Sequence, residues 1–123
     1  MQEPIFNYDE ISDTLYISFR PGESATGVEL NDNILLRFNK DNRYAVSLSI
    51  FNYSILAQKT EIGFRSLPVT GLEVLSEELR QLVLDIVFKA PVSEIFSVSA
   101  YTRSIAEYFP IVTMCDTARL MAA

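Results

Sequence analysis

The chain contains no histidine, and this absence excludes several kinds of site. Histidine is the commonest general base in enzymes, a frequent metal ligand and the proton carrier of many catalytic triads. Without it, most hydrolase mechanisms are excluded. Because no other pattern typical of acid–base, nucleophilic or metal catalysis occurs, the sequence predicts no catalytic residue and favours a protein that is not an enzyme.

Cysteine is nearly absent as well, with Cys115 as its one instance. A single cysteine forms no intrachain disulfide and provides no CxxC motif for zinc or redox chemistry. A catalytic thiolate at Cys115 would need an activator such as Arg119, so an incidental thiol is the simpler interpretation. This usage fits a reducing compartment, and we expect the protein to be cytoplasmic.

Glycine and long hydrophobic runs are also scarce. The four glycines, at positions 22, 27, 63 and 71, form neither a GxGxxG nor a P-loop motif, so no cofactor is predicted. The most apolar window, 82–92, is interrupted by Asp85 and Lys89 and is shorter than the roughly 20 residues of a membrane span. Glu3 stands where a signal peptide carries a basic residue. We expect no signal peptide and no transmembrane helix.

Basic residues are outnumbered by acidic ones. Ten Lys and Arg against sixteen Asp and Glu give a formal net charge of −6 and a pI near 4.5. The averaged field of such a chain repels phosphate backbones and anionic lipid headgroups. We therefore expect neither nucleic acid nor a membrane surface as a partner of this acidic protein.

The first half of the chain does contain a clear alternation of apolar and polar residues. It predicts three strands, over 14–19, 33–38 and 44–50, and two less regular ones over 5–8 and 25–30. In the third strand, the residues expected to share one face are Tyr44, Val46, Leu48 and Ile50. The segments between the strands are short and rich in turn residues, so neighbouring strands should be antiparallel and form a meander of four or five strands.

A helix is predicted in the second half. Its apolar stripe has the 3.6-residue spacing of a helix that faces a core and consists of Leu79, Leu82, Val83, Ile86 and Val87. Two N-terminal signals compete: a capping box at residues 70–73, and Ser76 followed by two acids. Either of them can start the helix, and Lys89 and Pro91 mark its end.

The remaining segments have weaker patterns. Residues 55–70 are expected to link the two parts with one short strand at most. A strand is predicted over 95–101, a short helical turn over 104–108, a short strand over 111–114 and a frayed tail over 117–123. The 123 residues thus predict a single α+β domain. It consists of an antiparallel meander, a helix packed on one face of the sheet, and one or two further short strands.

Strand and turn residues of the first half carry a family resemblance. They are Tyr8-Asp9-Glu10 with Asp13, Leu15, Tyr16 and Ile17, then Glu29-Leu30-Asn31-Asp32-Asn33-Ile34-Leu35, then Asn39-Lys40-Asp41 with Leu48, Ile50 and Asn52. Over residues 6–54 the chain resembles DUF2283, a small bacterial family of unknown function. The resemblance implies an antiparallel sheet unit and a bacterial setting, and it carries over no active site. Members usually have Gly and then an acid where this chain has Ser47 and Ser49, so no role for that acid is transferred.

The densest cluster of acids lies between the first two strands. Asp9, Glu10 and Asp13 are candidate ligands for Mg²⁺ or Ca²⁺. The alternative is that these carboxylates bond their own backbone to shape a turn, and this is the interpretation we favour, with no metal site. The same applies to Asp32 and Asp41. Four tyrosines are candidates to line one sheet face and stack a planar ligand or a partner's side chains: Tyr8, Tyr16, Tyr44 and Tyr53. The alternative, which we favour, is ordinary cross-strand pairing of aromatic residues.

Two hypotheses of function follow. The first is a non-enzymatic interaction or assembly module that forms a homodimer, with room for a further protein partner that the sequence does not identify. Its candidate interface is Leu84 and Phe88, which widen the apolar arc of the helix beyond the stripe that one contact needs; the chain's own residues 105–114 are the alternative cover. The second is a small enzyme or ligand binder that uses carboxylates and tyrosines in a pocket between sheet and helix.

Overall fold

The computed structural model describes residues 4–56, 59–60, 63–64, 66–68, 70–104 and 107–114. Its first half is a five-stranded sheet whose strands are β1 (Ile5–Asp9), β2 (Thr14–Ser18), β3 (Thr26–Asn31), β4 (Ile34–Asn39) and β5 (Tyr44–Phe51). Each lies where the apolar alternation predicts a strand. The α+β fold class is confirmed.

All neighbouring strands in this sheet are antiparallel, and their order is β1-β2-β5-β4-β3. The order is meander-like, because β1–β2 and β3–β4–β5 are each joined by short turns. The two units meet where β2 pairs with β5. The central strand is therefore β5, the last of the five in sequence.

One face of the sheet carries the core. The strand side chains with the least exposure alternate with more exposed ones, as a period of two requires, and those of 0% exposure are Leu15, Ile17, Ile34, Leu36, Phe38, Leu48 and Ile50. Helix α2 (Glu77–Val87), which follows the short helix α1 (Tyr53–Leu56), contributes its buried stripe to the same core. Four of the five predicted stripe residues are buried, and Leu79 packs against the core from its edge.

The alternation breaks at one position of β5. The register shifts between Arg37 and Phe38, so that Arg37 faces Ser47 whereas Phe38 faces Ala45. Ala45 joins the core cluster and Val46, the extra residue of this β-bulge, does not. The expectation that Val46 shares the core face with Leu48 is therefore wrong, because a bulge changes the phase of the strand.

Both competing N-terminal signals are used, by different elements. Residues Thr70–Val74 form a 3-10 helix, and α2 begins after Ser76, whose hydroxyl accepts a hydrogen bond from the amide of Leu79 at 3.2 Å. Ser76 is thus the N-cap of α2. The helix ends at Val87, before the predicted Lys89 and Pro91.

The segment after β5 holds more strand than the sequence predicts. Three short strands, β6 (Lys59–Thr60), β7 (Gly63–Phe64) and β8 (Ser66–Pro68), occupy the expected link. After the 3-10 helix Val92–Glu94 come the long strands β9 (Phe96–Ser104) and β10 (Glu107–Met114), and β8, β10 and β9 form a second antiparallel sheet.

The helical turn expected over 104–108 is wrong, because residue 104 ends β9 and residues 107–108 begin β10. The strand expected over 111–114 is confirmed as part of β10, whereas the tail expected over 117–123 lies outside the described residues. No helix in the described ranges is long and apolar enough to cross a membrane.

Candidate functional site

The acids proposed as metal ligands serve two different turns. Asp9 accepts hydrogen bonds from the amide of Ile11 at 3.0 Å and from the hydroxyl of Ser12 at 2.8 Å. These bonds close the turn between β1 and β2. Glu10 is exposed. Asx turns of this kind are a common use of Asp between strands.

Asp13 joins distant parts of the chain. Its carboxylate accepts hydrogen bonds from the Tyr8 hydroxyl at 2.5 Å, from the Ser54 amide at 3.0 Å and from the Ser54 hydroxyl at 2.7 Å. Its own carbonyl accepts from the amide of Tyr53 at 3.0 Å. Asp13 has a φ of 51°, a left-handed conformation that Asp tolerates better than most residues. It therefore fastens the first hairpin to α1.

These contacts change the acidity of the groups. The pKa of Asp13 is lowered, chiefly by the Tyr8 hydrogen bond, and that of Asp9 is lowered, chiefly by Ser12. The same Tyr8–Asp13 bond raises the pKa of Tyr8 to about 12. In the described part of the chain, no three His, Cys, Asp or Glu side chains gather in a group that could hold a metal ion.

The contacts of Asp13 lie at the end of the part of the chain that contains the five-stranded sheet. This sheet runs from Ile5 to Phe51, and Ser54 closes it against Asp13. Residues 5–54 match the DUF2283 family model. This family is described as a protein of unknown function. Neither a curated protein nor a solved structure matches the chain.

The DUF2283-like segment is therefore the five-stranded sheet plus the start of α1, and the rest of the chain, including α2, lies outside the match. The predicted resemblance is confirmed over this range. Since the family has no stated activity, the site has to be argued from the geometry alone.

The four tyrosines do not gather on one sheet face. Tyr8 and Tyr53 contact each other, with ring centroids 5.8 Å apart. Tyr16 lies on the face opposite α2, since it pairs with Ser49 rather than with a core residue. Tyr44 lies under the guanidinium of Arg20, 3.6 Å from the ring centroid, and its hydroxyl donates to Glu23 at 3.0 Å.

The two interface candidates on α2 differ in their surroundings. Leu84 is partly buried and packs against the core, whereas Phe88 is 60% exposed. Phe88 follows the exposed Gln81 by seven residues, which places the two on the same side of a helix with 3.6 residues per turn. Phe88, the C-cap of α2, therefore points away from the buried stripe and is open to a partner.

Sequence reasoning missed a groove on the sheet face opposite α2, which we call the open face. Side chains from β1, β2, β4 and β5 line this groove, whose volume is about 440 Å³. Its residues carry no motif and lie far apart in the chain. The alternation of single strands indicates which residues share a face, but only the order and register of the strands bring these residues together.

The Asp13 junction gives a prediction about pH. A carboxyl whose pKa is lower in the folded than in the unfolded chain stabilises the fold above its unfolded pKa, and this contribution is lost as the pH falls through the folded pKa. We expect the free energy of unfolding to fall as the pH drops below about 4. Asp13→Asn should lower stability at pH 7 and flatten this acid slope, as measured by urea unfolding from pH 2 to 7.

Glu10→Gln is the matched control, since it removes an exposed carboxylate in the same turn. It should leave the slope unchanged. At alkaline pH the free energy of unfolding should change in the opposite direction, because the pKa of Tyr8 is raised in the folded chain. The stability that this shift adds is present below about pH 10 and is lost as the pH rises toward 12. Equal acid slopes in wild type and Asp13→Asn would contradict the assignment.

Proposed function

We propose that this chain is a non-enzymatic interaction module that assembles as a homodimer, in a bacterial and cytoplasmic setting. The observation that carries the proposal is Phe88, a large aromatic side chain that is 60% exposed on the outer side of α2. A buried aromatic side chain removes about 150–250 Å² from water and is a frequent anchor of interfaces. Leaving it exposed forgoes that stabilisation.

A second copy of the chain is the proposed cover. A two-fold axis near the end of α2 would bring Phe88 of both copies together, and one patch then serves both sides of the contact. Leu84, one turn earlier and partly buried, would border the same patch.

The alternative, an enzyme or ligand site between sheet and helix, has less support. The side chains that meet there are apolar and almost fully buried, with Leu36, Leu48 and Val83 at 0% exposure. The carboxylate of Asp13, the most engaged of the acids, faces Tyr8 and Ser54 instead.

The test is the molar mass of the chain by light scattering during size exclusion. We expect twice the 13.9 kDa of one chain. Phe88→Lys should give a folded monomer, because it places a charge in the interface without touching the core. Circular dichroism and the melting temperature of the variant show whether it is folded.

Val74→Lys is the matched control. It also replaces an exposed apolar side chain, at 86% exposure, by lysine, and it should leave the dimer intact. A wild-type chain of 13.9 kDa, or a Phe88→Lys variant that stays dimeric, would overturn the proposal. Leu84→Lys is less informative alone, because Leu84 also packs against the core.

A further inference from the structure

The register of the sheet aligns polar side chains in two rows across the open face. In the first row, Arg37 of β4 pairs with Ser47 of β5, which pairs with Ser18 of β2. In the second row, Leu35 pairs with Ser49, which pairs with Tyr16. The central strand thus contributes two small hydroxyl side chains, and larger side chains stand on both sides of them. This difference in size produces the groove of about 440 Å³.

A glycine lies beside two of the residues that line the groove. Gly27 of β3 pairs with Arg37, and a Cβ at Gly27 would lie 3.7 Å from Cδ1 of Leu35 and 4.0 Å from Cγ of Arg37. These two side chains therefore extend over the place that a side chain at residue 27 would occupy. Because residue 27 is a glycine, it adds no side chain of its own beside these two.

The hydroxyl of Ser49 has no hydrogen-bond partner among the described residues. Ser49 is 8% exposed and lines the groove, and its side chain makes no hydrogen bond within the described residues. Thr14, the other buried polar residue, does have a partner, since its hydroxyl donates to the carbonyl of Ser12 at 3.2 Å. Buried hydroxyls are nearly always hydrogen-bonded, so an unpartnered one at the floor of a groove points to a polar group that binds there.

Arg37 provides a positive charge beside Ser47 and Ser49. Its exposed guanidinium makes no ion pair or hydrogen bond within the described residues, whereas Arg43 pairs with Asp85 at 2.9 Å. No Asp or Glu lines the groove around Arg37. Glu23 lines an adjoining pocket with Arg37, but its carboxylate already accepts hydrogen bonds from Asn39 and Tyr44. A guanidinium that makes no ion pair among the described residues is unusual for a chain with a net charge of −6 and favours an anion.

Apolar side chains line much of the rest of the groove. Ile5 and Tyr16 are 50% and 43% exposed, and both line the groove together with Leu35 and Pro21. Their exposure on one concave surface offers contact to an apolar or aromatic group. The groove therefore combines one cation and three serine side chains with apolar lining residues.

We propose that the open face binds a small organic carboxylate with an aromatic or other apolar body. The guanidinium of Arg37 pairs with the carboxylate, because both groups are planar and can form two parallel N–H···O hydrogen bonds. The hydroxyls of Ser47 and Ser49 donate to the same oxygens. Tyr16, Ile5 and Leu35 contact the apolar body. The site is independent of the proposed dimer, since it lies on the face opposite α2.

The probe for the test is 2-naphthoate, titrated into the full ¹⁵N-labelled chain and followed by the amide signals of each residue. We expect saturable shifts centred on β2 and β5, with a Kd of about 1 mM or lower for this non-native ligand. The neutral amide 2-naphthamide and the short anion acetate should each bind at least ~10-fold more weakly, because each lacks one half of the recognition.

Variants distinguish binding in the groove from non-specific electrostatic attraction of the anionic probe. Arg37→Gln should weaken 2-naphthoate binding about 10-fold, and Arg43→Gln, which makes the same change of net charge outside the groove, should leave the Kd unchanged. Ser49→Ala should weaken binding and leave the melting temperature unchanged or higher, since it removes an unpartnered hydroxyl. The shifts of Arg37→Gln without ligand show whether it is folded.

Three results would overturn the proposal: no shifts in β2 and β5 up to about 10 mM probe, equal binding of 2-naphthamide, or equal effects of Arg37→Gln and Arg43→Gln. Shifts centred on Phe88 would also overturn it, since they would place the ligand on α2.

Discussion

Replacing Gly71 by alanine is expected to destabilise the fold by about 3 kcal/mol, because the new methyl group meets backbone that cannot move aside. Gly71 lies in the 3-10 helix Thr70–Val74, which packs against the edge strand β3. A Cβ at this position would overlap the carbonyl oxygen of Glu29. It would also lie 2.8 Å from the carbonyl carbon of Glu29 and 3.1 Å from that of Leu30.

These are main-chain atoms of a strand that is hydrogen-bonded to β4, so no rotamer change relieves the overlap. The 3-10 helix has to move away from β3 instead, and its buried Leu72 then leaves the core. The midpoint of urea unfolding, monitored by circular dichroism, measures the effect.

Gly27→Ala is the control for this prediction. The nearest atoms to a Cβ at Gly27 are 3.7 and 4.0 Å away and belong to flexible side chains, which is ordinary van der Waals contact. We expect a change of less than about 1 kcal/mol. If Gly71→Ala were as stable as Gly27→Ala, the close approach of the 3-10 helix to β3 would be refuted.

The second large effect is expected from two neighbouring leucines of β4. Leu36 is 0% exposed and faces α2 in the core, whereas Leu35 is partly buried and lies on the open face. Leu36→Ala should cost about 2–5 kcal/mol, the range for a fully buried leucine whose cavity cannot collapse. Leu35→Ala should cost about 1 kcal/mol, because less of its surface leaves water on folding.

The two variants remove the same atoms one residue apart, so each is the other's control. Urea unfolding of both, with equal m values, gives the difference directly. Similar losses at the two positions would mean that the open face is covered as thoroughly as the core face. A larger loss for Leu35→Ala would mean that the register of β4 is shifted by one residue.

The strands and the main helix could be predicted because their signals are local. Alternation within β2, or the 3.6-residue spacing that joins Leu79 to Val83, depends only on neighbours in sequence. The same locality explains the cap of α2, since Ser76 and the amide it binds are three residues apart. Where a distant partner decides the conformation, local patterns failed, as at residues 104, 107 and 108, which pair in β9 and β10.

The same distinction between local signals and distant contacts applies to the candidate sites. The sequence by itself determined the absence of histidine-based chemistry, the acidic net charge, the apolar arc of α2 that contains Phe88, and the turn role of Asp9, whose partners lie within three residues. Each of these depends on composition or on contacts between near neighbours in the chain.

Only the tertiary structure decided which side chains meet across the sheet. Asp13 bonds Ser54 across 41 residues, and the groove joins Ser18, Arg37 and Ser49 from three strands. That meeting depends on the pairing of β5 with β2 on one side and with β4 on the other. The physical reason is that strand order and register are fixed by the burial of whole faces against α2, a property of the assembled domain rather than of any one segment.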